Sequence, residues 1–439
     1  MFATHHRKQY LAVALAVLAA VSVWFYVKKI LIPAQVQDAE RVGRPRGNLS
    51  DLYPRWLGAR ELLLHGRDPY SAEMTRDIQR GVYGRTLDPS RANDPKDKQA
   101  FAYPVYVVFL LAPTITLDFA EIRPVFSMLL IVLVLVTVLI WKSVFEIKLS
   151  GAGLLIAALL TLASFPVVLG IRLQQLTIVV AALLAASFLA RQSNRLLLSG
   201  FLMAGATIKP QHALLPVLAM IVWTLADWKQ RARWLWGFFA TMAVLVAASE
   251  YELPGWIPKF LQALRDYQQY TGGKSLLAAF LPSGLGTILG YLLLGYVGWT
   301  SWRNRSAAPD SPESRHLVCL LLVASICAMP NFATYNQVLL FPALLWFVQQ
   351  NLLDSQRFLV RGFAWLTAAL LLWFWVACTV LMPASIFLSS SSYGRVWQIP
   401  LYGTLQLPLA VLVLLLTLQP QAAGRRSLAS VPRGVSCSL

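Results

Sequence analysis

Apolar runs and polar breaks alternate along the whole chain, and the charge sits in the breaks. The runs at 10–27, 125–141 and 365–382 approach the ~20 residues that an α-helix needs to cross a bilayer core. None of them keeps the polar face that a helix packed on a soluble core turns toward water. The same reading predicts twelve spans, at about 10–32, 124–141, 150–169, 176–190, 196–208, 212–226, 234–250, 283–302, 316–330, 337–350, 361–386 and 399–418. The expected fold is an all-α polytopic membrane protein with a single membrane domain over residues 1–439.

Two stretches decide the topology. Residues 101–117 are apolar, but the segment is short and contains Pro104 and Pro113. If it crossed, the basic loops at 142–148, 191–195, 229–233, 303–315 and 357–361 would alternate between the two sides. An interfacial or re-entrant segment places all five on the cytoplasmic side, as positive charge prefers. Residues 196–226, read as one helix, would bury Lys209 near mid-membrane, which is costly. A hairpin turning at Lys209-Pro210-Gln211 avoids this. Both termini then lie in the cytoplasm, with a tail at 419–439. A long first loop, 33–123, which carries amphipathic or interfacial helices, and a second sizeable loop, 251–275, lie outside.

Composition agrees. Hydrophobic residues make up 57% of the chain and charged residues 13%, about half the charged share of a soluble domain. The net charge of +18 follows from the cytoplasmic loops rather than from a nucleic-acid surface, since no RNP motif, zinc spacing or basic helix is present. Nucleotide-binding glycine motifs are also missing from the sequence. Cys319, Cys327, Cys378 and Cys437 form neither a disulfide framework nor a metal-binding pattern. The first apolar run follows His5, His6, Arg7 and Lys8 like a signal peptide, but Lys28 and Lys29 stand where a small-residue cleavage site belongs, so an uncleaved span is expected.

The uncommon polar residues gather on the outer side. They are Arg172-Leu173-Gln174-Gln175, Lys209-Pro210-Gln211-His212, the stretch 250–274 and the stretch 331–337. In the long loop, Leu52, Trp56, Ala59 and Leu63 recur at helical spacing, Gly66 ends the helix, and Asp68-Pro69-Tyr70 turns the chain. Residues 74–99 read as a charged, solvated stretch. Asp51 stands at the helix start, where it is either a helix cap or a catalytic base. Lys209 and Arg172 have the alternative of serving only as interfacial anchors. Gln174, Gln175 and Gln211, like Asn331, Tyr335 and Asn336, could instead satisfy helix ends. Glu250, Glu252 and Asp266 are alternative bases.

The order of these motifs resembles one family. Asp51-Leu-Tyr, Gly66-Arg-Asp-Pro-Tyr70 and Phe101-Ala-Tyr-Pro104 are similar to the first outer loop of the family 87 glycosyltransferases. These are bacterial membrane enzymes of the GT-C superfamily, among them polyprenyl-phosphate-dependent mannosyl- and arabinofuranosyltransferases. Ile171-Arg-Leu-Gln-Gln-Leu-Thr177 resembles the family's Arg-Leu-Gly-Gln-Val-Asn stretch, with Gln174 in place of glycine and Thr177 in place of asparagine. Ala206-Thr-Ile-Lys-Pro-Gln211 matches more closely.

The resemblance implies an inverting transfer of mannose or a related pentose, at the outer face of the inner membrane, from a polyprenyl-phosphate donor to an envelope glycolipid or polysaccharide. Asp51 takes the catalytic role. Arg172, Gln175, Lys209, Gln211, His212, Asn331, Tyr335 and Asn336 are the candidates for holding donor phosphate and substrate. The anomeric phosphate is already a leaving group, so one base and stabilising cations suffice. A protein cofactor or metal is not required by this scheme, although some superfamily members use a divalent ion. A twelve-span lipid or sugar transporter, or a non-catalytic envelope scaffold, is the competing reading.

Overall fold

A computed structural model describes residues 2–43, 45, 50–282, 284–330, 332–387 and 396–418. The candidate Asn331 and the tail at 419–439 lie outside the described residues. Among those residues the elements are helices, with no strand.

Helix α1 (Phe2–Phe25) continues through a π-helical stretch (Tyr26–Leu31) into α2 (Ile32–Arg41). The polar segment that follows folds into α3 (Tyr53–His65), α4 (Ala72–Tyr83) and a short α5 (Val107–Leu111). Next come α6 (Phe119–Val144), α7 (Gly151–Leu162), α8 (Phe165–Arg172), α9 (Leu176–Gln192) and α10 (Leu196–Ala206). They are followed by α11 (Pro210–Leu225), α12 (Trp228–Glu252), α13 (Trp256–Thr271), α14 (Leu276–Phe280) and α15 (Leu285–Arg303). The last are α16 (Pro312–Ala328), α17 (Phe341–Gln349), α18 (Phe358–Ala384) and α19 (Leu407–Thr417).

Among the described residues, four stretches are long and apolar enough to cross a membrane: Arg7–Arg41, α6, α12 and α18. The number rises to six if each of two bent pairs is one span; α7 and α8 form one of them, bent by 57°. Such a set fits a multi-pass membrane protein. Helices α9, α10, α11 and α19 are apolar but shorter.

The expected break at Lys209 is present: α10 ends at Ala206 and α11 begins at Pro210. Pro210 occupies the first helical position, where its missing N–H leaves nothing unpaired. The segment at 101–117 forms only the short α5 and a 3₁₀ turn (Ala112–Thr114), interrupted at its prolines. Helix α3 ends as its sequence predicts, with Gly66 in the left-handed region at φ 64°.

Residues 74–99 require a correction. Residues 74–83 are not solvated loop but the body of a helix, while 84–99 run irregularly, half-buried or exposed: Ser71 caps α4 by accepting from the Met74 N–H at 3.1 Å. Met74, Ile78 and Val82, spaced by one turn, are buried against α3 and its surroundings. Arg67 braces the two helices, donating to Glu61 Oε2 at 2.8 Å and Asp77 Oδ2 at 2.7 Å. The many charges pair with one another on the outer side of that contact.

Within the bundle, α10 lies against α12 with almost no side chain between them. A Cβ on Gly200 would stand 2.2 Å from the Trp234 carbonyl oxygen, and one on Gly237 would stand 2.3 Å from that of Leu197. Small residues let membrane helices approach this closely. Gly200→Val or Gly237→Val should therefore force the pair apart, at a cost of about 3 kcal/mol by analogy with overpacked cores. Thermal unfolding in detergent should show a clearly lower midpoint for either variant. An unchanged midpoint would mean that the contact is not tight.

Candidate functional site

Asp51 does not cap α3. The first turn of that helix has no side-chain cap, and the Arg55 N–H donates to Leu52 O at 3.0 Å. The Asp51 N–H donates to Leu173 O at 2.9 Å, which ties the first loop to the turn between α8 and α9. Its carboxylate oxygen Oδ2 accepts from the Gln175 side-chain amide. The same amide's Oε1 accepts from Lys209 Nζ at 3.1 Å. Lys209 also donates to Thr177 Oγ1 at 2.5 Å and stands 5.0 Å from the centre of the Tyr335 ring. Thr177 in turn donates to Asn336 Oδ1 at 3.0 Å. One hydrogen-bonded chain thus joins Asp51, Gln175, Lys209, Thr177 and Asn336.

The turn that presents Gln175 is held in an uncommon way. Gln174 has φ 50°, a left-handed conformation that favours glycine. Its buried side chain compensates, donating through Nε2 to Ile171 O at 2.9 Å, Arg172 O at 3.0 Å and Ser127 Oγ at 3.1 Å. The backbone shape that a glycine would adopt is therefore kept here by side-chain bonds.

Beside this chain lies a cavity of about 260 Å³. Arg55 and Tyr103 line it from the first loop, Lys209 and Gln211 from the start of α11, Tyr267 from α13, and Tyr335 with Asn336 from the segment before α17. The Arg55 guanidinium sits 4.4 Å from the centre of the Tyr103 ring and donates to the Asp51 carbonyl oxygen. The motif residues of the first loop meet in space to hold Tyr103. The Tyr70 hydroxyl donates to Tyr103 O at 2.6 Å, and the Tyr70 and Phe101 rings stand edge to face at 5.3 Å. Phe101 also lies so close to Gly58 that a Cβ there would overlap its ring.

Burial raises the Asp51 carboxyl above its ordinary range. The Arg55 and Lys209 charges and the Gln175 hydrogen bond oppose that rise without cancelling it, while Asp97 adds to it. Lys209, in the break between two helices, is pushed down to about 7 by its burial and by Arg55, against the pull of Asp51. The site therefore holds an acid and a base whose environments move both toward neutrality.

The sequence-nominated residues do not all gather. Arg172 turns away and donates to Gln35 Oε1 at 3.1 Å. His212 is buried in the first turn of α11, near Lys209 and Asn336. Glu250 accepts from the Gly255 N–H, and Asp266 from Gln262, both at exposed positions. Arg55, Tyr103 and Tyr267 were not singled out by sequence. For Arg55 the signal was its spacing, one helical turn after Asp51. Among the described residues, no group of three or more His, Cys, Asp or Glu is placed to hold a metal ion.

The Gln174 turn can be tested. Gln174→Gly loses the side-chain bonds but relieves the left-handed strain, whereas Gln174→Ala loses the bonds and keeps it. Alanine should be the more destabilising by about 1 kcal/mol, read as the gap between the two midpoints in thermal unfolding. Equal midpoints would remove the strain argument.

A family model described as glycosyltransferase family 87 matches residues 101–330. No curated protein matches the chain. The matched segment contains Tyr103, Gln175 and Lys209 and leaves Asp51, Arg55, Tyr335 and Asn336 outside it.

Proposed function

We propose that this chain, which belongs to glycosyltransferase family 87, transfers a sugar from a polyprenyl-phosphate donor to an envelope acceptor at the cavity beside Asp51. The family makes it an enzyme that uses a sugar donor and an acceptor, and the transporter reading of its spans finds no support there. The observation that carries the finer proposal is the hydrogen-bonded chain from Asp51 through Gln175 to Lys209, with Arg55 across the same cavity.

In this reading the acceptor hydroxyl approaches Asp51, which removes its proton as the new glycosidic bond forms. The bond from the anomeric carbon to the phosphate breaks on the opposite face, so the anomeric centre inverts. Arg55 and Lys209 take up the charge that develops on the departing phosphate. Gln175 and Lys209 stand at the N-terminal ends of α9 and α11, where helix dipoles favour an anion. An arriving phosphate would also draw Lys209 back to its charged form. Tyr335, Asn336 and Gln211 line the remaining wall and contact sugar or acceptor. Arg172 and His212 act from outside the cavity wall, the first as an interfacial cation. For Asn331 the substrate-holding role rests on the sequence resemblance alone.

A long isoprenoid cannot leave the bilayer at low cost, since each buried CH₂ contributes about 0.8 kcal/mol. An enzyme that meets its donor at the membrane avoids that step. We place the cavity on the outer side of a bacterial inner membrane, with twelve spans and both termini in the cytoplasm. That arrangement also leaves the five basic loops inside. Mannose or a related pentose is the proposed sugar.

The test is transfer of labelled sugar from polyprenyl phosphate in membranes that contain the full chain. Asp51→Asn keeps the size of the side chain and should lower the rate by about 10²–10⁴ without loss of folded protein. Full activity in that variant would remove Asp51 as the base. The pH profile gives a second test. The base must be ionised to act, and its pKa is raised. The rate should therefore fall as pH drops through a limb lying above the ordinary carboxylate value of about 4. A rate that stays flat down to that ordinary range would contradict the assignment.

A further inference from the structure

At the opposite end of α9 a second cation is buried. Arg191 lies in its last turn and is 7% exposed. About 24 Å of helix separates it from Gln175 at the usual rise per residue. Its Nη2 donates to Ser314 Oγ at 2.6 Å and Pro309 O at 3.2 Å, and its Nη1 faces Met220 Sδ at 3.7 Å. Its Nε is buried with no partner. Among the described residues, no carboxylate lies within 4 Å of it.

A buried cation without a counter-charge is costly. The Phe188 and Trp223 rings, 5.4 and 5.6 Å from the guanidinium, offset part of that cost. The negative end of the α9 dipole offsets another part. Neither satisfies Nε. A second cation crowds the place: Arg231 stands 4.2 Å from the same Trp223 ring and donates to Arg305 O at 2.8 Å.

Between these groups is a small cavity of about 10 Å³, where Arg191, Arg305, Asn304, Ser314 and Ser301 stand among apolar residues such as Phe188, Met220 and Leu321. That volume holds one water-sized guest. The polar lining is chiefly of donors. Ser314 Oγ already accepts from Arg191, so its own hydrogen is free to donate. Asn304 brings an amide, while the Arg305 guanidinium is turned to Trp302, 4.3 Å from its ring and donating to Trp302 O at 2.8 Å, and the Ser301 hydroxyl is spent on Val297 O at 2.8 Å. A cation would be repelled, and a phosphate group is too large. Water fits but brings no charge.

We propose that this cavity is a binding site for a single monatomic anion of chloride size, held by Arg191 with Ser314 and Asn304. The anion supplies the counter-charge that the protein does not. It joins the ends of α9, α11 and α16 at the face away from the Asp51 cavity.

The test uses the purified full chain in detergent, with sodium chloride exchanged for sodium gluconate at constant ionic strength. The thermal midpoint should rise with chloride and saturate, by about 2–4 °C. Arg191→Gln should make the response flat while leaving any general salt effect in place. Should that variant fail to fold, crystals of the unaltered protein grown in bromide decide the matter. An anomalous peak within hydrogen-bonding distance of Nε supports the site. A midpoint indifferent to the anion, or a water molecule with no anomalous signal there, overturns it.

Discussion

A carboxylate and an ammonium buried near each other normally close into an ion pair, and such a pair would take both out of chemistry. One amide prevents that here. Gln175 donates to Asp51 with one end and accepts from Lys209 with the other, so the charges stay linked but apart. The amide can face only one way, because an ammonium cannot accept and a carboxylate cannot donate. Asp51 therefore keeps a raised pKa, which a direct contact with Lys209 would lower. The unusual local structure around the site serves this single residue. The left-handed Gln174 sets the turn that aims Gln175, and the Asp51 N–H to Leu173 O bond fixes the loop at the same turn.

The helices make the arrangement affordable in a chain this apolar. Charged groups deep in a bilayer are costly, so α10 and α11 break at Lys209 and place it at a helix end. The N-terminal ends of α9 and α11 then bring unpaired N–H groups to the same place. At the other ends of the same two helices, where carbonyls are left over, the cations Arg191 and Arg231 collect. The polarity of two parallel-ended helices thus sorts the chain's charges into two separate regions.

Much of the fold was legible because a strong penalty stood behind each signal. A lysine amid apolar residues followed by proline marks a break, and a glycine after an amphipathic run marks a helix end; both are present at Lys209 and Gly66. The α4 segment was misread because charges outnumber apolar positions over residues 74–99 taken as one stretch. Met74, Ile78 and Val82 nevertheless stood at the helical spacing that the burial of α4 follows. At the site, Asp51, Gln175, Lys209, Tyr335 and Asn336 were named from sequence and meet in space. Arg55 was passed over because an arginine in an amphipathic helix is ordinarily solvated. Its role depends on Tyr103, 48 positions later in the chain, a contact that no local pattern encodes. Arg172 misled for the opposite reason. It sits in the right motif, but its side chain leaves on the far side of the turn.

The boundary of the matched family segment divides the site in an informative way. Residues 101–330 supply the amide, the ammonium and the Tyr103 ring, while Asp51 and Arg55 come from the preceding loop and Tyr335 from beyond it. Geometry, rather than the family match, connects these parts. The connection is made with backbone as well as side chains: Asp51 N to Leu173 O, and the Tyr106 hydroxyl to Thr207 O at 3.0 Å, each fasten the first loop to a turn that carries a site residue. The base proposed at Asp51 could not hold the geometry that proton transfer needs if it were mounted on an unstructured loop. The buried α3–α4 contact and the Arg67 ion pairs therefore belong to the site's mechanics as much as to its stability. The loop's charged exterior, which made it look solvated in the sequence, is the outer surface of that support.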